Sequence, residues 1–253
     1  MSVWETRGRT LIVGHRGGRG EGWPPENTLA ALERAYSEGA DAVEIDVRLS
    51  RDGEVVVCHD PDLSRMTGGR DVRWVEALSK AELAQTRLLD TAEGVPTLSE
   101  VLAWCRHRSM PINVELKHDQ SRRLHFVVVV ARVLLQSRVD VLLSSFDPAL
   151  LLAMAPLAPG VRRAWLTDRR HDRGLDIAVR ALSPAIFFAI HAERTQCSAE
   201  RVSRWKKRRF RVGAYTVNDG AEACELANRG VDWIITDTPA ATRKALATRP
   251  TRT

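Results

Sequence analysis

Lysine is scarce in this 253-residue chain; it occurs only as Lys80, Lys117, Lys206, Lys207 and Lys244. Arginine therefore carries the positive charge, and 38 basic against 32 acidic residues leave a formal net charge of +6. The arginines are spread along the chain, so no nucleic-acid partner is expected, although the balance suits a site for an anionic substrate. Cysteine is sparse too. Cys58, Cys105, Cys197 and Cys224 stand far apart and form no Cys-x-x-Cys pair. That spacing indicates neither a zinc site nor a redox dithiol, and it fits a reducing compartment. No run approaches the ~18 apolar residues of a membrane span. The first residues, MSVWETRGRTLIVGHRGG, hold no hydrophobic segment of signal-peptide length. A cytoplasmic protein without a transmembrane segment is the expectation. The remaining composition, 44% hydrophobic and 28% charged, is that of an ordinary globular protein.

The chain is organised around residues 42–60, AVEIDVRLSRDGEVVVCHD. Val43, Ile45 and Val47 alternate with Glu44, Asp46 and Arg48, which predicts a strand. Glu44 and Asp46 then share a face, about 7 Å apart at ~3.3 Å per residue. Arg51-Asp52-Gly53 predicts a turn, and a second strand from Glu54 to Cys58 returns His59-Asp60 toward the two carboxylates. Carboxylates side by side on a buried strand repel one another unless a cation sits between them. A hard divalent ion with oxygen ligands would meet that need. Two solvated carboxylates on the outside of a hairpin would not require one, and this stretch alone does not decide.

The rest of the chain alternates strand and helix. Leu11 to Gly14 is a wholly apolar strand, as suits a covered parallel sheet. Thr28 offers an N-cap to a helix that stops at Glu38-Gly39. An insertion is expected over about residues 60–95, with a short polar helix near Ser79 to Gln85. Thr97 and Glu100 form a capping box. Strands are then expected at 111–117, 140–146, 161–167, 185–190, 211–217 and 233–236. The helices between and after them are expected at 121–136, 148–154, 176–182, 199–208, 218–229 (capped by Asn218) and 240–246. Treating the hairpin's return as an excursion leaves eight βα units. In about 250 residues that is the size of a closed (β/α)8 barrel, a TIM barrel, in a single domain.

Barrel active sites lie at the C-terminal ends of the strands. Applied here, the rule gathers His15 and Arg16 from strand one, Glu44 and Asp46 from strand two, and Glu115 and Lys117 from strand three. The hairpin returns His59 above the same rim. Glu44, Asp46 and Glu115 offer an all-oxygen site for one divalent metal, Mg2+ or Ca2+. The two histidines are free to move protons, since their ordinary pKa lies nearest neutrality. Arg16 and Lys117 add fixed positive charge. The chemistry inferred is metal-assisted cleavage of a phosphate ester.

The ordered set His15-Arg-Gly, Pro25-Glu-Asn-Thr28, Glu44-Ile-Asp46, Val57-Cys-His-Asp60, Leu63-Ser-Arg65, Glu115-Leu-Lys117, Ser145-Phe146, Thr216-Val-Asn218 and Gly230-Val-Asp-Trp-Ile-Ile-Thr-Asp-Thr-Pro239 resembles the glycerophosphodiester phosphodiesterases. The resemblance covers nearly the whole chain. It implies a (β/α)8 barrel of the phosphatidylinositol phospholipase C-like type with a small insertion after strand two. It also implies hydrolysis of glycerophosphodiesters to an alcohol and glycerol 3-phosphate. His15 and His59 would be the acid/base pair, Glu44, Asp46 and Glu115 the metal ligands, and Arg16 and Lys117 the phosphate holders. A glycerol hydroxyl would attack phosphorus, and water would open the resulting cyclic phosphate. Two features depart from the pattern. The loop GGRGEGWPP before Glu26 is about two residues longer than usual, and Tyr215 stands where tryptophan is common.

His107, His118, His125, His171 and His191 fall on expected helices or loops without carboxylate partners, and are read as surface or packing residues. The basic run from Arg204 to Arg211 reads as a cationic helix C-terminus, which the helix dipole favours. Two other functions remain open. A lysophospholipase D-like enzyme would need an apolar groove at the mouth, to which Trp23, Trp74 and Phe146 could contribute unless they pack in the core. A non-catalytic phosphate-binding protein would be expected to lack one of the metal or histidine positions.

Overall fold

A computed structural model describes residues 2–5, 8–171, 174, 179 and 183–248 of the chain. Nine strands are found among them: β1 (Leu11–Gly14), β2 (Ala42–Leu49), β3 (Val55–Val57), β4 (Ile112–Leu116), β5 (Val141–Ser145), β6 (Arg162–Thr167), β7 (Ala189–Glu193), β8 (Arg211–Tyr215) and β9 (Trp233–Thr236). Eight of them pair in parallel in the order β1-β9-β8-β7-β6-β5-β4-β2, and β2 pairs back onto β1 to close the barrel. Each barrel strand is short and almost wholly buried, as parallel strands covered by helices must be. The helices are α1 (Leu29–Ser37), α2 (Lys80–Gln85), α3 (Leu98–Arg108), α4 (Arg123–Ser137), α5 (Pro148–Leu157), α6 (Ala199–Lys207), α7 (Gly220–Asn228) and α8 (Pro239–Ala247). The helix expected at 176–182 lies outside the described residues, Val179 excepted. No helix among the described residues is long and apolar enough to cross a membrane.

The hairpin forms as the sequence predicts. Ser50 to Gly53 make the turn, with Gly53 at φ +86°. β3 then runs antiparallel to the outer end of β2, Val47 opposite Val57. β1 pairs β2 only through Ala42 and Val43, so β3 lies against the length of β2 that rises above β1. The chain between β3 and α3 builds its own apolar cluster from Val56, Cys58, Leu63, Met66, Val75, Leu78, Leu83, Leu88 and Val95. Capping boxes start α2 at Ser79 and α3 at Thr97.

Two element assignments differ from the sequence reading. The sixth expected strand, 185–190, begins four residues late, at Ala189. The amides of Ile186 and Phe187 both donate to Ser183 O (2.9 Å each), closing a turn that removes them from the ladder. An apolar run with no alternation does not reveal which of its residues enter the sheet. The shift puts His191 in mid-strand rather than in a loop, fully buried inside the barrel. Asn218 does not cap α7; Asp219 does, accepting from the Glu222 amide. Asn218 is drawn away to Asp237 and Thr236.

The lower half of the barrel interior is apolar: Leu11, Val13, Ala42, Leu142, Ala164, Ala189, Trp233 and Ile235, with Trp4 entering from the N-terminal turn. The carboxylates lie at the other end, where the strands finish. Outside the barrel, Lys206 and Arg211 of the basic run converge on Asp232 (3.1 and 2.7 Å), while Trp205 and Phe210 are buried.

Candidate active site

β1 ends where the chain must turn sharply. A Cβ on Gly14 would lie 2.3 Å from Gly17 O, so only glycine fits. Arg16 takes a positive φ of 53°, and its main-chain N–H donates to Glu44 Oε2 at 2.9 Å. This turn leaves His15 on the rim. Because β1 pairs β9 on its other side, the residue just past β9 stands next to it: Asp237 Oδ1 is 2.7 Å from His15 Nδ1. His15 Nε2 then faces the carboxylates, 4.0 Å from Glu44 Oε2.

His59 is delivered by the hairpin. The Cys58 amide donates to Asp46 O (3.0 Å), and the Arg48 guanidinium clasps His59 O (2.7 and 3.0 Å) while pairing with Asp119. The ring repeats the arrangement at His15: Nδ1 is 2.6 Å from Asp60 Oδ1, which leaves Nε2 outside the pair. Each imidazole is thus oriented by an aspartate through the same nitrogen.

Glu44 and Asp46 share a face of β2, and Asp46 is in register with Glu115 on β4. One oxygen from each of the three carboxylates lies within 4.8 Å of the others. All three side chains are almost fully buried. Asn27, at φ +61°, holds Asp46 from both sides: its Nδ2 donates to Oδ2 (3.0 Å) and its Oδ1 accepts from the Asp46 amide (3.2 Å). Lys117 Nζ lies 2.9 Å from Glu115 and 3.4 Å from Asp46. Arg16 Nε is 3.2 Å from Asp46 Oδ2 but is not aligned as a hydrogen bond.

The electrostatics follow from crowding. Burial raises the Glu44 carboxyl well above the usual range, and repulsion from Asp46 and Glu115 adds to it. Burial also raises Glu115, against the pull of Lys117. Burial would raise Asp46 too, but Lys117, Arg16 and His59 overcome it and hold that carboxylate far below its ordinary value. Burial lowers both histidines. At His15, Arg16 lowers the value further while Asp237 opposes; at His59, Lys117 and Arg16 lower it while Asp46 and Asp60 oppose. Both shifts favour the neutral ring. The carboxylates fit a hard divalent ion: they are anionic, all-oxygen and convergent, and two of them are driven toward protonation for want of positive charge.

All seven residues predicted from the sequence meet here. Arg16 and Lys117, expected to hold phosphate, rest against the carboxylates in this structure. Asp237, Asp60, Glu26, Arg65 and Arg19, which no motif marks with a role, brace the two imidazoles directly or through one another. The aromatic wall is Phe146, with Tyr215 6.1 Å and His118 6.3 Å away. Tyr215 donates to Thr167 O (2.7 Å). Trp23 lies under Arg34 (4.4 Å), and Trp74 is exposed rather than packed in the core. A cavity of about 790 Å³ lies elsewhere, lined by Thr67, Arg70, Arg73 and Glu82 among others. Its arginines already pair with neighbouring carboxylates or carbonyls.

A closed parallel barrel with carboxylates and braced imidazoles at its C-terminal mouth is the architecture of a barrel hydrolase. The chain belongs to the glycerophosphoryl diester phosphodiesterase family, whose family model matches residues 15–241. It is an enzyme of the phosphoric diester hydrolase class. A glycerophosphodiester phosphodiesterase of Bacillus altitudinis is 32% identical over 238 residues, covering 91% of this chain and 95% of that one. A phosphodiesterase of Oleispira antarctica, solved with the product sn-glycerol-3-phosphate, superposes with a TM-score of 0.81 at 28% identity, covering 95% and 98% of the two chains. The glycerophosphodiester phosphodiesterase of Thermotoga maritima gives 0.78 at 27% identity, covering 94% and 99%.

Proposed function

We propose that this enzyme hydrolyses glycerophosphodiesters to an alcohol and glycerol 3-phosphate, using a divalent cation and a pair of histidines. The observation that carries the reading is the mouth itself: three buried carboxylates within 4.8 Å, flanked by two imidazoles that each spend Nδ1 on an aspartate. Glu44, Asp46 and Glu115 would hold the cation, Mg2+ or Ca2+. When bound, the cation would supply positive charge to the phosphoryl oxygens. Lys117 and Arg16, which rest against the same carboxylates, would add theirs to a phosphate held at the mouth.

His15 and His59 carry the proton transfers. A neutral imidazole whose Nδ1–H is held by a carboxylate presents a bare Nε2, the state a general base needs. One ring, with Nε2 bare, takes the proton of the attacking hydroxyl as base; the other, charged at Nε2 by a proton taken up from solvent, gives that proton to the leaving alcohol oxygen. Asp237 and Asp60 stabilise whichever ring becomes charged. The substrate is a small anionic phosphodiester. The unpaired, mostly buried cysteines support a cytoplasmic location, and one catalytic domain with an insertion between β3 and α3 accounts for the chain.

The test is turnover of glycerophosphocholine and of lysophosphatidylcholine with Mg2+, with Ca2+ and with a chelator. Glycerol 3-phosphate should appear from the first substrate, stop on chelation and return with one of the ions. Turnover of the lysolipid alone would move the substrate class to lipids. No turnover of either with any ion would leave a phosphate-binding barrel.

A further inference from the structure

Glu26 is a buried carboxylate with no part in the chemistry above, and it sits in an unusual position. Pro24 and Pro25 stiffen the loop before it, and Thr28 ties back to Pro25 O (2.7 Å) to start α1. Its two oxygens meet three guanidinium groups: Arg16 at 2.8 Å, Arg65 at 2.8 Å and Arg19 at 3.4 Å. Each of those arginines has a second carboxylate partner, and each partner is a different part of the site. Arg19 grips Asp237 with two bonds (2.9 and 3.0 Å), and Asp237 holds His15. Arg65 Nε donates to Asp60 Oδ2 (2.6 Å), and Asp60 holds His59. Arg16 Nε lies 3.2 Å from Asp46 of the carboxylate cluster.

We propose that Glu26 is the positioning residue of the site, joined by one arginine each to the His15 dyad, the His59 dyad and the carboxylate cluster, and that it couples the two imidazoles. This rests on the reading of His15 and His59 as the proton-transfer pair. A fixed guanidinium fork sets the angle of the carboxylate it clasps, and the carboxylate sets the plane of the ring. Two of the arms, Arg16 and Arg19, lie on the same loop between β1 and α1 as Glu26, and the third, Arg65, comes from the segment after β3. A common anchor keeps them in step. Burial matters, because a carboxylate shielded from water holds its arginines far more firmly than an exposed one would. Burial would raise the Glu26 carboxyl, but the bonds from Arg65 and Arg16 keep it lowered, hence charged. Displacement of a reacting group by about 1 Å can cost on the order of a hundredfold in rate.

The test uses the full chain with its histidines labelled with 15N. Glu26→Gln keeps the shape and removes the charge. It should move the imidazole nitrogen resonances of both His15 and His59 in the presence of EDTA. With the activating cation, it should lower kcat by about ten- to a hundredfold while KM shifts less than about threefold. Arg19→Met and Arg65→Met lie at partly exposed side chains and keep the question open to measurement if Glu26→Gln does not fold. Each should shift its own histidine and, through Glu26, the distant one as well. Restoring the charge with Glu26→Asp should recover part of the lost rate. Imidazoles that stay at their wild-type positions in Glu26→Gln, or arginine variants that move only their own histidine, would overturn the coupling. If His15→Ala and His59→Ala keep wild-type turnover, it is the acid–base reading that fails, and the resonance coupling remains a separate result.

Discussion

The two histidines owe their readiness to a single bond each. Asp237 accepts at His15 Nδ1 and Asp60 at His59 Nδ1, which leaves Nε2 of each ring for proton transfer, bare in the base and protonated in the acid. Removing an imidazole ring or removing its brace should therefore both slow turnover. His15→Ala and His59→Ala should each lower kcat/KM by more than about 10³-fold, since each removes one of the two proton-transfer groups. Asp237→Asn keeps the ring but loses the charged acceptor, and should cost about 10²–10⁴-fold. A competition titration should find cation affinity little changed in all three variants. A wild-type rate in either alanine variant would take that residue out of proton transfer. The chemistry at this scale was legible because the motifs His15-Arg16, Glu44-Ile-Asp46 and Glu115-Leu-Lys117 are local. The brace on His15 was not: Asp237 is 222 residues away along the chain. Only closure of the barrel, which seats β9 against β1, makes them neighbours.

At the scale of elements, sequence patterns located most strands and helices, and failed where two adjacent residues of similar chemistry compete for one task. Asn218 and Asp219 can both cap a helix. In the structure Asp219 caps α7, and Asn218 donates to Asp237 Oδ2 (2.7 Å) while its oxygen accepts from the Asp237 amide (2.8 Å). The division of labour predicts opposite variants. Asp219→Ala should lose about 1 kcal/mol of stability, as cap removal does, and keep its kcat. Asn218→Ala should lose rate through a loosened Asp237. Urea melts and steady-state kinetics on the pair would check this, and a slower Asp219→Ala with unchanged melting would reverse the assignment. The late start of β7 has the same origin. In AIFFAI every residue is apolar, so nothing in the pattern marks where the turn fastened at Ser183 O releases the chain into the sheet. The hairpin of β2 and β3 was legible because Asp52-Gly53 and strict alternation each pointed to the same register.

Across the whole molecule the barrel interior is divided, with charge gathered at the mouth and apolar side chains below, and His191 sits on the apolar side. Trp4 reaches in from the N-terminal turn, which Asp140 holds by accepting from Ser2 Oγ (2.8 Å) and the Val3 amide (2.7 Å). Trp4 and Trp233 meet edge to face at 5.4 Å, and Trp233 Nε1 donates to His191 Nε2 at 3.0 Å. That bond needs a bare Nε2, and His191 is fully buried with no carboxylate partner among the described residues. Burial accordingly lowers its pKa from the ordinary 6.5 to about 3. Between those two values the unfolded chain binds a proton that the native barrel refuses. The stabilisation from the neutral ring is therefore complete above about pH 6.5 and is lost progressively as pH falls toward 3, by at most about 1.4 kcal/mol per pH unit. His191→Gln still offers an acceptor to Trp233 and cannot titrate. Its stability should fall less steeply than that of the wild type from pH 6.5 to pH 5, with the two curves converging by up to about 2 kcal/mol. Urea melts at half-unit steps would measure the difference. Curves that stay parallel would mean that the imidazole takes up its proton inside the folded barrel as readily as outside it.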